Sequence, residues 1–250
     1  MSFEACAGIV QRGDPDRFLA TMAAPVEARR VLFPLYAFNV EVARAPWASE
    51  EPLIAEMRLQ WWADALDEIA KGGTVRRHEV VDALAPILDS DSARMLNECL
   101  DARRIEAHRE TFTSLDALKS YLAQTGGSLH CVATRAIGVR DFDGPARSVG
   151  SALGLANYLL GVPAFLGRGH NPLPDMSEAE FGVLLDQGLQ ALAARASADK
   201  RQARIVDLAA WRAAGILKRA KRDQSAIVDG RLGGSEFARR AGLLWRSARI

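Results

Sequence analysis

The stretch Glu51–Gly73, which reads EPLIAEMRLQWWADALDEIAKGG, settles the class of fold. Ser49, Glu50, Glu51 and Pro52 form a helix-start signal, because proline in the first turn gives up a backbone donor that would have no helical partner there. Gly72-Gly73 ends the helix, since glycine enters the left-handed C-cap conformation at little cost. Between these signals Arg58, Trp62, Leu66 and Ile69 recur at three- and four-residue spacing and predict one stripe turned towards a core, over a helix from about 51 to 71.

Outward from this helix the same period continues. Helical stretches are expected at roughly 78–88, 91–109, 115–138 with the pair Gly126-Gly127 inside, and 145–162. Asp14-Pro15 and Ala24-Pro25 read as helix starts with proline in the first turn, and Ser177-Glu178-Ala179-Glu180 has the form of a capping box. β-Branched residues are sparse while Ala, Leu, Arg and Glu dominate, so an all-α helical bundle is expected. Gly167 to Asp175 reads as a loop and not as a domain border, because the chain beyond it is too short to bury a sizeable core alone. One domain over 1–250 is expected, with a basic segment at 212–250.

Composition narrows the function. With 49% hydrophobic and 25% charged residues the proportions are those of a globular protein, and a net charge of +1 argues against nucleic acid as a partner. Cys6, Cys99 and Cys131 are distant, odd in number and form no C-x-x-C pair, which fits a reducing compartment. Residues Glu4, Asp14 and Asp16 do not suit a transit peptide, and no window approaches the roughly 18–20 uninterrupted apolar residues of a membrane span. A cytoplasmic protein is expected, or one peripheral at the inner face of the cytoplasmic membrane. His78, His108, His130 and His170 show no metal-ligand spacing, and neither a G-x-S-x-G nor a P-loop is present.

Three ordered segments carry a resemblance. Leu35-Tyr36-Ala37-Phe38 is similar to Y-A-F-C-R, and is followed by Arg58-Leu59-Gln60-Trp61-Trp62. Tyr121-Leu122-Ala123-Gln124-Thr125-Gly126-Gly127 is similar to Y-C-x-x-V-A-G. Gly154-Leu155-Ala156-Asn157-Tyr158-Leu159-Leu160 is similar to Q-L-T-N-I-L-R, with Leu173-Pro174 matching the end of G-R-x-Y-L-P. Over roughly residues 14–175 the chain thus resembles the squalene/phytoene synthase family, whose members condense two prenyl diphosphates head to head inside a helical bundle of the isoprenoid synthase type.

That chemistry needs two aspartate-rich helical segments facing each other, since carboxylates at i and i+4 share a helix face and can hold Mg²⁺ against a diphosphate. Here the first motif, D-D-x-x-D, aligns with Ala43, Arg44 and Trp47, and the second, D-x-x-E-D, with Gly161, Ala164 and Phe165. No carboxylate stands at any of these positions, and Pro163 is expected to break the helix that the second motif needs. The arginines that precede the motifs in the family align with Val40 and Leu160. Tyr36, Asn39, Ala43, Trp47, Tyr121, Gly127, Asn157, Gly161 and Phe165 are the cavity-lining candidates that the resemblance implies; no catalytic residue and no metal ligand is assigned. For Tyr36, Tyr121 and Asn157 the alternative is a satisfied polar group in a helical core. Gly126-Gly127 either opens room for a ligand tail or lets two helices approach, and the second is favoured. Asp64, Asp67 and Glu68 form a D-x-x-D-E run, read as a solvated helix face, and Asp141 and Asp143 read as turn and helix-start residues.

From Arg212 to Ile250 ten basic residues stand against three acidic ones. Arg239, Arg240, Trp245, Arg246 and Arg249 are candidates for contact with an anionic membrane or an acidic partner, against the alternative of a solvated face. The lost aspartates and the Arg58–Trp62 run are similar to the branch of the family that serves as a respiratory complex I assembly factor, a peripheral inner-membrane protein. This resemblance implies a non-catalytic protein with a protein partner, an isoprenoid or other lipid ligand, and no cofactor. The alternative is an active, Mg²⁺-dependent head-to-head prenyltransferase with displaced metal ligands.

Overall fold

Gly72 takes φ 68° and closes the helix Pro52–Lys71, as the Gly-Gly pair predicts. The stripe on that helix is shifted by one residue from the expected one. Ala55, Leu59, Trp62, Leu66 and Ile69 are its buried row, whereas Arg58 is exposed. Residue 59 lies on the same 3-4-3 row as 62, 66 and 69, while residue 58 sits about 100° round the helix from 59.

The computed structural model describes residues 2–196, 201–234, 243 and 247, and among these there is no β-strand. In chain order the helices are α1 (Ser2–Gly13), α2 (Pro15–Met22), α3 (Val26–Arg44), α4 (Pro52–Lys71), α5 (Glu79–Leu84), α6 (Ser90–Ala107), α7 (Leu115–Leu122), α8 (Ser128–Ala136), α9 (Asp143–Leu166), α10 (Glu178–Ala196), α11 (Arg201–Asp207), α12 (Ala213–Arg222) and α13 (Ser225–Val228). The expected starts take their predicted form. Asp14 caps α2 by accepting the Arg17 N–H at 2.9 Å. Ser177 and Glu180 form the reciprocal box, with the Ser177 N–H donating to Glu180 Oε2 at 2.8 Å and the Glu180 N–H to Ser177 Oγ at 3.3 Å. Pro25 is itself the N-cap of α3, one residue earlier than a first-turn proline. Asp141 turns the chain with φ 57°, and Asp143 opens α9 while accepting two hydrogen bonds from Arg135.

Residues Leu32 to Phe38 of α3 are buried without interruption, which makes α3 a central helix hydrophobic all round. It packs against α1, α2, α5 and α8, while α4 lies along α6, and α9 along α8, α10 and α12. The buried side chains from α1 through α13 form one continuous core.

Two prolines lie inside helices. Pro34 is buried within α3, and Pro163 sits inside α9, which runs on to Leu166. The expected break at Pro163 is therefore corrected. Its missing N–H removes one bond near the C-terminus, and the helix is carried through by its packing on α10, α12 and α13. By length and composition alone α9 could cross a membrane, with a mean hydropathy of 1.5 over 18 residues; here it is the apolar spine of the bundle.

Between α7 and α8 the residues Ala123–Gly127 form a π-helical turn. The Ala123 carbonyl accepts the Ser128 N–H five residues on and also takes the Arg147 guanidinium, which donates at 3.0 Å and reaches Ser128 Oγ at 2.9 Å. At this seam the chains approach through glycine: a Cβ on Gly150 would lie 2.4 Å from the Gly126 carbonyl oxygen and 2.5 Å from His130 Cβ.

Candidate functional site

A half-open cavity of about 490 Å³ lies between the α1–α2 turn, α3, α6, the π-helical turn and α9. Its lining answers the motif alignment. Ala43, Arg44 and Trp47 stand on one wall and Gly161, Ala164 and Phe165 on the facing one, so both aligned segments reach the same space. Of the remaining candidates Asn39, Tyr121 and Asn157 line it as well. Tyr36 and Gly127 do not. The Tyr36 ring lies beneath the Arg17 guanidinium, 5.4 Å from Cζ to centroid, with its hydroxyl buried and unpartnered; burial pushes that phenol well above the ordinary tyrosine range. Gly127 faces the helix seam instead, where a Cβ would meet Arg147 Cγ at 2.8 Å, and Gly126 takes its place on the cavity wall.

At the cavity mouth the two walls touch. The Trp47 and Phe165 rings lie 5.0 Å apart, and Phe165 packs on to Tyr158 at 5.6 Å and His170 at 6.1 Å. Gly161 gives the Phe165 ring its room, since a Cβ there would come within 3.3 Å of Phe165 Cε2. Trp47 is fixed from several directions. Its indole N–H donates to Glu106 Oε2 at 3.0 Å, and the guanidiniums of Arg109 and Arg168 stand 4.0 and 5.0 Å from its ring centroid. Arg109, at φ 56°, also ties the end of α6 to the Trp47 loop by donating to the Pro46 and Ser49 carbonyls. Burial, then the nearby Arg109 charge, holds His170 below the usual histidine range.

The polar floor of the cavity was not visible in the motifs. Arg103 donates to Glu106 Oε1 at 3.1 Å and to Asn39 Oδ1 at 3.5 Å, and the Tyr121 hydroxyl donates to the same Glu106 oxygen. Arg103 and Glu106 are both buried. Burial works against the Arg103 charge, but the Glu106 carboxylate beside it more than offsets that cost and the guanidinium stays protonated. Burial, reinforced by the Glu106 carboxylate, drives the Tyr121 phenol far above its ordinary range. A signal for this pair does exist in the sequence: Leu96, Cys99, Leu100, Arg103 and Glu106 follow one helical stripe, so both charged residues fall on the apolar face of α6.

These residues do not fit a magnesium clamp. The facing segments meet through two aromatic rings, and the carboxylates that do line the cavity are committed elsewhere. Glu106 serves Arg103, Tyr121 and Trp47; Asp14 serves the α2 cap and Arg17; Asp16 takes a hydrogen bond from Arg212. The D-x-x-D-E run on α4 is also committed. Glu68 is forked by Arg76, Asp67 accepts from Asn97, and Asp64 accepts from Gln60. Arg239, Arg240, Trp245, Arg246 and Arg249 lie outside the described residues.

Comparison with known proteins identifies the family and the fold. The family model described as squalene/phytoene synthase matches residues 10–237. A Drosophila melanogaster protein, "NADH dehydrogenase (ubiquinone) complex I, assembly factor 6 homolog", is 34% identical over 175 residues, covering 67% of this chain and 52% of its own. The Mus musculus "assembly factor 6" of the same complex is 26% identical over 181 residues, 71% of this chain and 54% of its own. The chain thus spans about half the length of the curated relatives it matches. Among solved structures, a dehydrosqualene synthase in complex with ligand superposes with a TM-score of 0.72 at 17% identity, covering 99% of this chain and 96% of its own. The squalene synthase HpnC from Alicyclobacillus acidocaldarius gives 0.67 at 16%, covering 88% and 93%; at these identities the likeness concerns the fold. The match along nearly the whole sequence, joined to the shared bundle, shows that this chain belongs to the squalene/phytoene synthase family.

Proposed function

We propose that the chain is a non-catalytic member of this family that acts, like the relatives named as assembly factor 6, in assembling the NADH dehydrogenase complex I of the respiratory chain. The observation that carries this reading is the Trp47–Phe165 contact at 5.0 Å. It joins the two segments that would have to stand apart and carry carboxylates for a metal-dependent diphosphate reaction. Burying a diphosphate without cations costs several kcal/mol per uncompensated charge, on the order of magnitude of a transition-state barrier contribution. A bundle that keeps its shape but lacks its carboxylate clamp retains surfaces for a protein partner and a cavity, part apolar and part polar, for a lipid. The basic excess after residue 211 supports attachment at the inner face of the membrane, with Arg239, Arg240, Arg246 and Arg249 around Trp245 as the contact.

Deletion tests the assembly role. Loss of the gene should leave complex I incomplete on native gels while isoprenoid products stay unchanged; normal complex I in the deletion strain overturns the reading. Reversing the charge of the four arginines should weaken sedimentation with anionic vesicles, and unchanged sedimentation removes the membrane contact.

A further inference from the structure

The cavity mouth carries two cations whose charge no described carboxylate pairs. Arg17 is paired with Asp14 at 2.6 Å and Arg103 with Glu106 at 3.1 Å. Arg44 and Arg168 also line the cavity, are exposed, and make no side-chain hydrogen bond or ion pair with any described residue. They flank the aromatic pair: Arg44 is three residues before Trp47, and Arg168 three residues after Phe165 with its guanidinium 5.0 Å from the Trp47 ring. Arg44 also stands at a position where the clamp alignment expects an aspartate. Behind this rim one side of the wall is apolar, formed by Val40, Ala43, Leu122, Gly126 and Gly154, and it stands beside the polar floor of Arg103, Glu106 and Asn39.

We propose that this cavity binds, without a metal ion, a single-chain amphiphile with one phosphate head, the head held by Arg44 and Arg168 and the chain entering past Trp47 and Phe165. Where a carboxylate clamp needs Mg²⁺ to attract an anion, a guanidinium binds it directly, through charge-assisted and bidentate hydrogen bonds. Two guanidiniums match one phosphate monoester, which carries about −1.5 to −2 at pH 7. A diphosphate would leave charge unbalanced. The volume of about 490 Å³ lies in the range of small-molecule sites. This proposal deepens the non-catalytic reading and rests on it in one respect only, that no cation is supplied.

The test is calorimetric titration of the full chain in EDTA with farnesyl monophosphate, dodecyl phosphate, farnesol and inorganic phosphate. At least one phosphorylated amphiphile should bind tenfold or more tightly than both farnesol and inorganic phosphate, and the stronger of the two identifies a prenyl or an acyl source. Arg44→Gln and Arg168→Gln should each weaken that binding by about tenfold, the loss expected for one hydrogen bond to a charged group. Both side chains are exposed, so circular dichroism should show both variants folded. Phosphorylated amphiphiles binding no better than farnesol overturn the proposal. So does inorganic phosphate binding equally well, binding that appears only when Mg²⁺ is restored, or unchanged affinity in both variants. Turnover of a prenyl diphosphate, by contrast, would overturn the non-catalytic reading and is measured separately by product release.

Discussion

The glycine seam and the cavity mouth lie at two ends of the same helix, α9, and they have met opposite fates. At the seam Gly126 and Gly150 let the π-helical turn and α9 approach so closely that a Cβ on either would lie within 2.6 Å of the other's carbonyl oxygen. At the mouth, aromatic rings and an arginine stand where the resemblance expects metal-binding carboxylates. At the seam backbone meets backbone and no side chain fits, so glycine is required at both positions. Under the proposed non-catalytic role the mouth is free to change its side chains without loss of the fold.

Mutations can break or sharpen this contrast. Glu106→Leu should have the largest effect, because it leaves the Arg103 charge buried without its partner and strands the Trp47 and Tyr121 donors; about 3–5 kcal/mol of stability should be lost in urea denaturation. Gly150→Val should cost about 3 kcal/mol by overpacking against the Gly126 carbonyl and His130. A cost near zero would show that the seam can open. Trp47→Ala should lose about 2 kcal/mol, since Trp47 is only half-buried, yet it should confer no magnesium binding.

Asp89, far from both regions, provides a control with the smallest effect. It caps α6 through the Ser92 N–H at 2.8 Å, so Asp89→Ala should cost about 1 kcal/mol. Hydrogen bonds from Ser92, aided by Arg140, lower its pKa to about 2. Because the folded value is depressed, the unfolded chain binds more protons in acid. The Asp89 contribution should therefore be complete above about pH 5 and be lost progressively as the pH falls through about 2 towards about 1, a trend that D89A should lack.

Much of the fold was legible because its signals are local. Pro52, Gly72, Asp14 and the Ser177–Glu180 box act within one turn of where they stand, and the motif order placed Ala43 and Trp47 opposite Gly161 and Phe165 correctly. Failures came where tertiary packing decides. Arg58 entered the expected stripe by its four-residue spacing from Trp62, although the apolar Leu59 continues the same row at three and is the residue that the core takes. Pro163 looked like a helix breaker because the helices that carry α9 past it lie far along the chain. Tyr36 belongs to the same motif as the cavity residues but points beneath Arg17. Arg103 and Glu106 escaped notice because an i, i+3 charge pair reads as a solvated helix face unless its coincidence with the Leu96–Leu100 stripe is followed.

The central claim is that the family fold has been kept while its metal-dependent reaction has been given up. It is tested most directly by incubating the pure chain with farnesyl or geranylgeranyl diphosphate and Mg²⁺ and measuring released diphosphate together with condensed product. Facing segments that carry Trp47 and Phe165 in place of carboxylates predict neither above the enzyme-free control; magnesium-dependent release of diphosphate with formation of a head-to-head product would contradict it.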